Sequence, residues 1–297
     1  MAIRDFRGRT AFITGAASGM GRGMARIFAR AGLNVALADI DLAKLSEARD
    51  EVASLGAMAR AYLLDVSDRA QMYEVADAVE RDFGHIHIVC NNAGVGSGGP
   101  SLDETPDEIF DWMFAVNTMG PINGFKAFVP KLKKHGEGGH IVNTASIAGV
   151  RIAPGMNNGI YAGTKFAVVA LSVGMQDALR PHGIGVSVLC PAGVDTNIYH
   201  ASRVRPERFG GPFEREPSAV MASLLKQGLS PDQVGRYVLQ AIEDDDFFIF
   251  THPETREWVM EWHERIMEGF DRADELRRLL GINAAPQPDP AKMMRKG

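Results

Sequence analysis

The chain has 297 residues, 45% of them hydrophobic and 23% charged, which is enough apolar mass for one large globular core. A formal charge of -5 supplies no basic field for phosphate backbones or anionic lipid, so nucleic acid and membrane surfaces are excluded as main partners and a small-molecule substrate is expected. No apolar run approaches the ~18 residues of a membrane span, and the charged or small residues before Thr10 leave no room for a signal peptide's apolar core, so a cytoplasmic location is expected.

Strand-like runs rich in Val, Ile and Leu occupy residues 10–14, 34–39, 61–65, 86–91, 140–144 and 185–190, with a last one at 247–251. Between them, residues 22–31, 42–55, 69–83, 108–134 and 161–180 have helix-forming composition, and several end at a glycine, such as Gly32, Gly56, Gly84 and Gly183. This alternation predicts an α/β protein with a Rossmann-type, doubly wound parallel sheet and helices on both faces. A single domain is expected over 1–282, with a C-terminal helical extension at 252–282 and a loose tail at 283–297. In such a sheet, ligands bind beyond the carboxyl ends of the strands. Cys90 and Cys190, near two strand ends, should pack as small hydrophobes, and His85, His87, His182 and His200 lack ligand spacing, so no metal is expected.

Directly after the first strand comes Thr14-Gly15-Ala16-Ala17-Ser18-Gly19-Met20-Gly21-Arg22, a glycine-rich turn opening a helix. Free amides and the helix dipole at such a terminus suit a pyrophosphate, which makes Gly15, Ser18, Gly19, Met20 and Gly21 candidate cofactor contacts. The second strand ends in Asp39, whose carboxylate can accept hydrogen bonds from an adenosine ribose and repel a 2′-phosphate, favouring NAD over NADP. Asp65 and Val66, and then Asn92, Ala93 and Gly94, lie at further strand ends on the same edge and could flank adenine and ribose.

Tyr161 and Lys165 are four residues apart and share one helical face, where an ammonium can lower the phenol's pKa from its free value near ~10. A phenolate so formed can take an alcohol's proton. Ser146 follows the strand at 140–144 and can donate to a substrate oxygen, and Asn117 lies inside a long helix, an otherwise unfavourable place for Asn.

Together these motifs resemble the short-chain dehydrogenase/reductase family over about the first four-fifths of the chain. The resemblance implies that Tyr161 is the acid/base, that Ser146 orients the reacting oxygen, and that Lys165 lowers the tyrosine pKa and holds the nicotinamide ribose. Asn117 would hold a proton-relay water, and Pro191, Val194 and Thr196 would contact the nicotinamide, although Ala192 stands where the family more often has glycine. The implied activity is hydride transfer between NAD and a secondary alcohol or ketone, by a homodimer or homotetramer joined through the helices at 108–134 and 161–180.

Residues 196–228 form an expected substrate lid in which Ile198, Tyr199, Met221, Leu224 and Leu225 mingle with Arg203, Arg205 and Arg208; the arginines are expected on a solvated face. Trp258, Trp262, Ile266 and Phe270 recur at helical spacing, a stripe expected in a core or subunit interface. The stretches His200-Ala201-Ser202-Arg203, Arg205-Pro206 and His252-Pro253-Glu254 look similar to the branch containing Cα-dehydrogenases of lignin-derived aryl ethers, which implies a benzylic alcohol with a large second aryl group. A steroid or other polycyclic alcohol is the alternative substrate. The competing classes are nucleotide-sugar epimerases or dehydratases, which usually have a larger C-terminal domain, and a non-enzymatic NAD-binding regulator on the same scaffold.

Overall fold

The apolar runs become strands buried along their length. In the computed structural model, which describes residues 3–96, 101–153, 155, 158–214, 223, 225–283, 285 and 287–294, β1 (Thr10–Thr14), β4 (Ile88–Asn91), β5 (Gly139–Thr144) and β6 (Ile184–Cys190) are buried at every position. With β2 (Asn34–Asp39), β3 (Ala59–Leu63) and β7 (Phe248–Phe250) they form one parallel sheet in the order β3-β2-β1-β4-β5-β6-β7. The chain runs outward from β1 to β3 and then returns to place β4 beside β1, so the switch point of the sheet lies between these two strands.

Alternation along each strand sorts side chains to the two faces. Ala11 and Ile13 of β1 join one core with Met24 and Phe28 of α1 (Gly19–Arg30), Leu45 and Val52 of α2 (Leu42–Ser54), and Val234 and Val238 of a helix at Pro231–Asp244. Phe12 points the other way, into a second core with Met72 and Val79 of α3 (Arg69–Phe83), Trp112 of α4 (Asp107–Phe114), Phe128 of α5 (Gly120–His135) and Leu179 of α6 (Gly159–Leu179). The Phe12 and Phe128 rings stack at 4.3 Å, and burying such a ring stabilises the fold by roughly 1.5–3 kcal/mol.

Three boundaries differ from the sequence pattern. β3 ends at Leu63, opposite Asp39 in register, because Asp65 turns out of the sheet to accept hydrogen bonds from the Ser67 N–H and hydroxyl. α1 begins inside the glycine turn, at Gly19. The single helix expected at 108–134 is α4 and α5 joined by a π-helical turn, Ala115–Met119, with Asn117 at its middle. π-Turns of this kind are frequent at functional sites.

The expected lid enters through two 3₁₀ segments, Ile198–Val204 and Glu207–Phe209; Met221 and Leu224 lie outside the described residues. The helix at Pro231–Asp244, now α7, opens with a Ser230–Gln233 capping box. The chain divides into two compact units, Met1–Thr255 and Arg256–Gly297. In the second, α8 (Arg256–Leu279) has no buried residue, so its Trp258–Phe270 stripe enters no core among the described residues. The expected loose tail contains a short helix, Pro290–Met294.

Candidate active site

At the carboxyl end of β1, Gly15 takes the left-handed φ of 66°, and a Cβ there would lie 2.9 Å from Ala93 Cα. A Cβ on Gly21 would lie 2.2 Å from the Gly15 carbonyl oxygen, so only glycine lets α1 start this close to the turn. Ser18 occupies the N-cap position in extended conformation, and its side chain makes no capping hydrogen bond to the first-turn amides. Met20 packs part-buried against the α1 core. The Asp39 carboxylate reaches back to this turn, accepting from Ala17 N–H at 3.0 Å and from Asp41 N–H at 3.0 Å. Burial raises its pKa above the ordinary aspartate value, opposed by the Asp41, Ala17 and Ile40 amides. These residues fit the adenosine and pyrophosphate of a dinucleotide: a tight turn, a helix N-terminus and one carboxylate held beside it.

β4 is locked to the same turn. Asn92 Nδ2 donates to the Thr14 carbonyl at 2.9 Å, while the Asn92 and Ala93 amides donate to Thr14 Oγ1 at 2.9 and 3.0 Å. Asn92 therefore holds the strand ends in register at the switch point. Gly94 lies against Asn117 and Lys165, whose Oδ1 and Nζ would each be 3.4 Å from a Cβ there. Val66 is buried against Gly120, and its carbonyl accepts from Asn123 Nδ2 at 3.0 Å.

Asn117, fully buried, has its whole amide engaged: Oδ1 accepts from Val95 N–H at 2.8 Å, and Nδ2 donates to the Val95 carbonyl at 2.9 Å and to Thr164 Oγ1 at 3.1 Å. It ties the π-turn, the loop after β4 and α6 together. Thr164, which sequence reasoning missed, sits between Tyr161 and Lys165 in the motif and passes this constraint to the Tyr161 carbonyl at 2.7 Å.

Ser146, two residues beyond β5, caps the short turn Ile147–Gly149, its Oγ accepting from Ala148 N–H at 3.1 Å. It is hydrogen-bonded to the Tyr161 phenol, a contact that favours the phenolate. Burial outweighs that contact and pushes the phenol up to about 12, with the Tyr199 phenol adding to the rise. In the protein without cofactor, burial is the largest influence on the phenol and Ser146 opposes it. Lys165 is 2% exposed, donates to the Thr144 carbonyl at 2.9 Å, and stands 5.6 Å from the Tyr161 ring centroid. Burial pulls its ammonium down to about 8.

The end of β6 closes the site. The Pro191 carbonyl accepts from Ile147 N–H at 2.9 Å, Val194 is buried and bridged to Leu229, and the Thr196 methyl would lie 3.1 Å from a Cβ on Gly19. Ala192, in place of the family's usual glycine, donates its N–H to His252 Nδ1 at 3.4 Å. Beyond it, Arg205 leaves the solvated face expected for the three lid arginines, while Arg208 stays half exposed and still finds partners. Arg205 lies over the Phe213 ring at 4.4 Å and the Trp112 ring at 6.0 Å, and Arg208 donates to Asp65 Oδ2 at 2.6 Å and Ser67 Oγ at 2.7 Å. Asp65, expected beside adenine, thus also anchors the lid. Its distance from Arg208 in sequence gave no signal of the pair.

Residues 9–206 match the short chain dehydrogenase family. The chain belongs to that family. The C alpha-dehydrogenase of Sphingobium sp. (strain NBRC 103272 / SYK-6) is 37% identical over 270 residues, 90% of this chain and 88% of that protein. Among solved structures, a short chain dehydrogenase/reductase from Burkholderia phymatum in complex with NAD matches with a TM-score of 0.81 at 36% identity, covering 97% of this chain and 100% of that one. The apo form of LigD from Sphingobium sp. strain SYK-6 matches with a TM-score of 0.75 at 31% identity, over 95% and 100% of the two chains. As a family member the chain is an oxidoreductase acting on a small molecule, and no described helix is long and apolar enough to cross a membrane.

Proposed function

We propose that this oxidoreductase moves a hydride between NAD and a bulky benzylic secondary alcohol, such as a lignin-derived aryl ether, or the corresponding aryl ketone. The observation that carries the proposal is the buried Lys165, fixed on the Thr144 carbonyl and 5.6 Å from the Tyr161 ring, with Ser146 acting on that phenol, at the same sheet edge as the glycine turn and Asp39. All the residues assigned here lie within Met1–Thr255. NAD, when bound, supplies the hydride acceptor. Gly15, Ser18, Gly19, Met20 and Gly21 would hold its pyrophosphate, Asp39 its adenosine ribose, Lys165 its nicotinamide ribose, and Pro191, Val194 and Thr196 its nicotinamide.

Tyr161 takes the hydroxyl proton of the alcohol as its carbon is oxidised, and Ser146 holds the reacting oxygen. Lys165, fixed by the Thr144 carbonyl, places a positive charge beside the phenol as it ionises. Asn117 positions α6 and the loop after β4 through Thr164 and Val95. A large apolar substrate is supported by Ile198, which packs toward Gly96, by Tyr199 close to the phenol, and by the 37% identity to a C alpha-dehydrogenase. A cytoplasmic homodimer or homotetramer, joined through the region of α5 and α6, completes the proposal, and mass measurement in solution checks the assembly.

The test is the initial rate of NAD reduction over aliphatic, benzylic and polycyclic secondary alcohols, with NADP in parallel. Preferential turnover of bulky benzylic alcohols with NAD is expected. Turnover of small aliphatic alcohols alone would remove the aryl-ether assignment, and substrate conversion without net cofactor reduction would indicate epimerase chemistry.

A further inference from the structure

At the opposite edge of the sheet, where β1, β4 and β5 begin, three elements bring imidazoles and a carboxylate together. His85 and His87 lie between α3 and β4, His135 ends α5, and Glu137 sits in the turn before β5. Ring nitrogens of His85 and His135 and a carboxylate oxygen of Glu137 lie within 4.8 Å of one another. We infer that His85, His135 and Glu137 form a binding site for a divalent first-row transition ion, Zn²⁺ in the first instance, unconnected with the hydride-transfer site.

The hydrogen bonds around these groups fix which atoms are available. His87 Nδ1 faces Thr10 N–H at 3.2 Å and so is the unprotonated nitrogen, which makes its Nε2–H the donor to Glu137 Oε2 at 2.9 Å. That bond holds the carboxylate in place and leaves Oε1, now 2.7 Å from His85 Nδ1, to face outward. His135 accepts from Glu137 N–H at Nδ1, 3.1 Å away, so its Nε2–H donates to the Ile86 carbonyl at 2.8 Å, and an ion at Nδ1 would replace the Glu137 N–H bond. An imidazole whose second nitrogen donates to a backbone carbonyl, and a carboxylate oriented by a further histidine, are the outer-shell arrangements that prepare metal ligands.

Two imidazoles and a carboxylate suit Zn²⁺, with water completing a tetrahedron. Ligand atoms around such an ion are about 3.4 Å apart, so the 4.8 Å cluster need contract only by small side-chain rotations. His85 is half exposed and stacks on His135 at 4.9 Å, so it is free to make that adjustment. A groove of about 540 Å³ lined by Asp5, Arg7, Arg9 and His87 reaches two of the three ligands, His85 and Glu137. Arg9, whose charge acts on His87, works against a cation here and limits its affinity.

The four residues are scattered over three elements, which is why the spacing of histidines in the sequence gives no metal signal. The test is isothermal titration of the full-length, chelator-treated protein with ZnCl₂ near pH 7.5, alongside His85→Ala, Glu137→Gln and, as control, His263→Ala on α8. One ion per chain, at least tenfold weaker in His85→Ala and in Glu137→Gln but unchanged in His263→Ala, with two imidazoles in the Zn absorption fine structure, is the expected result. No saturable binding, or binding that both substitutions leave intact, overturns the site. Circular dichroism of each variant separates loss of a ligand from loss of fold.

Discussion

Around the Tyr161 phenol the supporting polar groups are held by buried hydrogen bonds: Asn117 by Val95 and Thr164, Lys165 by Thr144, Asn92 by Thr14. The lid segment is held by contacts of another kind, an Arg208–Asp65 pair whose guanidinium is half exposed and an Arg205 guanidinium laid over the Phe213 and Trp112 rings. A buried bond left without its partner is expensive, whereas a partly exposed ion pair is worth little. The difference sets a floor of rigidly bonded groups around the phenol beside a segment whose contacts are individually weak, which is the division of labour expected where one alcohol proton must be met by one phenol while substrates enter and leave.

The sharpest way to break this comparison is at the phenol. Tyr161→Phe should lower kcat by about 10³-fold or more while leaving NAD affinity within a few-fold, measured by NAD reduction and by fluorescence titration, because a general base contributes chiefly in the transition state. Near-normal turnover would reject the assignment. Asn117→Ala leaves the buried Val95 N–H and carbonyl without partners and should cost about 2–4 kcal/mol in urea unfolding. An unchanged midpoint would mean that the floor is less rigid than its bonds imply.

Asp39→Ala should reduce kcat/KM for NAD by about 10- to 100-fold and raise that for NADP, about 1–3 kcal/mol of discrimination at tenfold per ~1.4 kcal/mol. The NAD-to-NADP ratio is the readout, since loss of the Ala17 and Asp41 hydrogen bonds alone would lower both. Deep in the sheet, burial holds the His140 imidazole down at about 3, with Nε2 bonded to Ser187 Oγ at 2.7 Å and Asp245 Oδ1 3.9 Å from Nδ1. Between that value and the ordinary ~6.5 the unfolded chain binds more protons, so stability is present above the window and is lost as pH falls through it, at up to about 1.4 kcal/mol per pH unit. His140→Leu should flatten this slope in urea unfolding followed from pH 7 to 4. Smallest is Arg208→Gln, which should change stability by less than about 1 kcal/mol yet raise KM for substrate more than it lowers kcat. A fall in kcat alone would place Arg208 in the floor.

Much of the floor could be read from the chain. The strands at 10–14, 34–39 and 185–190 fall close to where their apolar runs put them, and Gly15, Ser18, Gly19, Gly21, Asp39, Asn92, Asn117, Ser146, Tyr161, Lys165 and Thr196 all belong to segments at the carboxyl edge of the sheet or in α6. Local signals suffice there, because a strand end, a glycine turn and an i, i+4 pair are properties of short segments. The π-turn at Asn117 escaped because an unfavourable Asn inside a helix does not by itself say which kind of turn it occupies. Arg208 and Arg205 escaped because a charged side chain on an irregular segment carries no periodicity, and only its neighbours in space distinguish a solvated group from an anchor.

By itself, then, the order of apolar runs and glycines determined a parallel sheet and the edge at which its strands end, since burial on two faces is written into periodicities of two and 3.6 residues. Tertiary structure alone decided that the Tyr161 phenol and the Lys165 ammonium are both desolvated, that Asn117 serves Val95, that Arg208 meets Asp65, and that His85, His135 and Glu137 converge. Desolvation and hydrogen-bond partnership are properties of a place, and that place exists only once segments far apart in the chain have packed together.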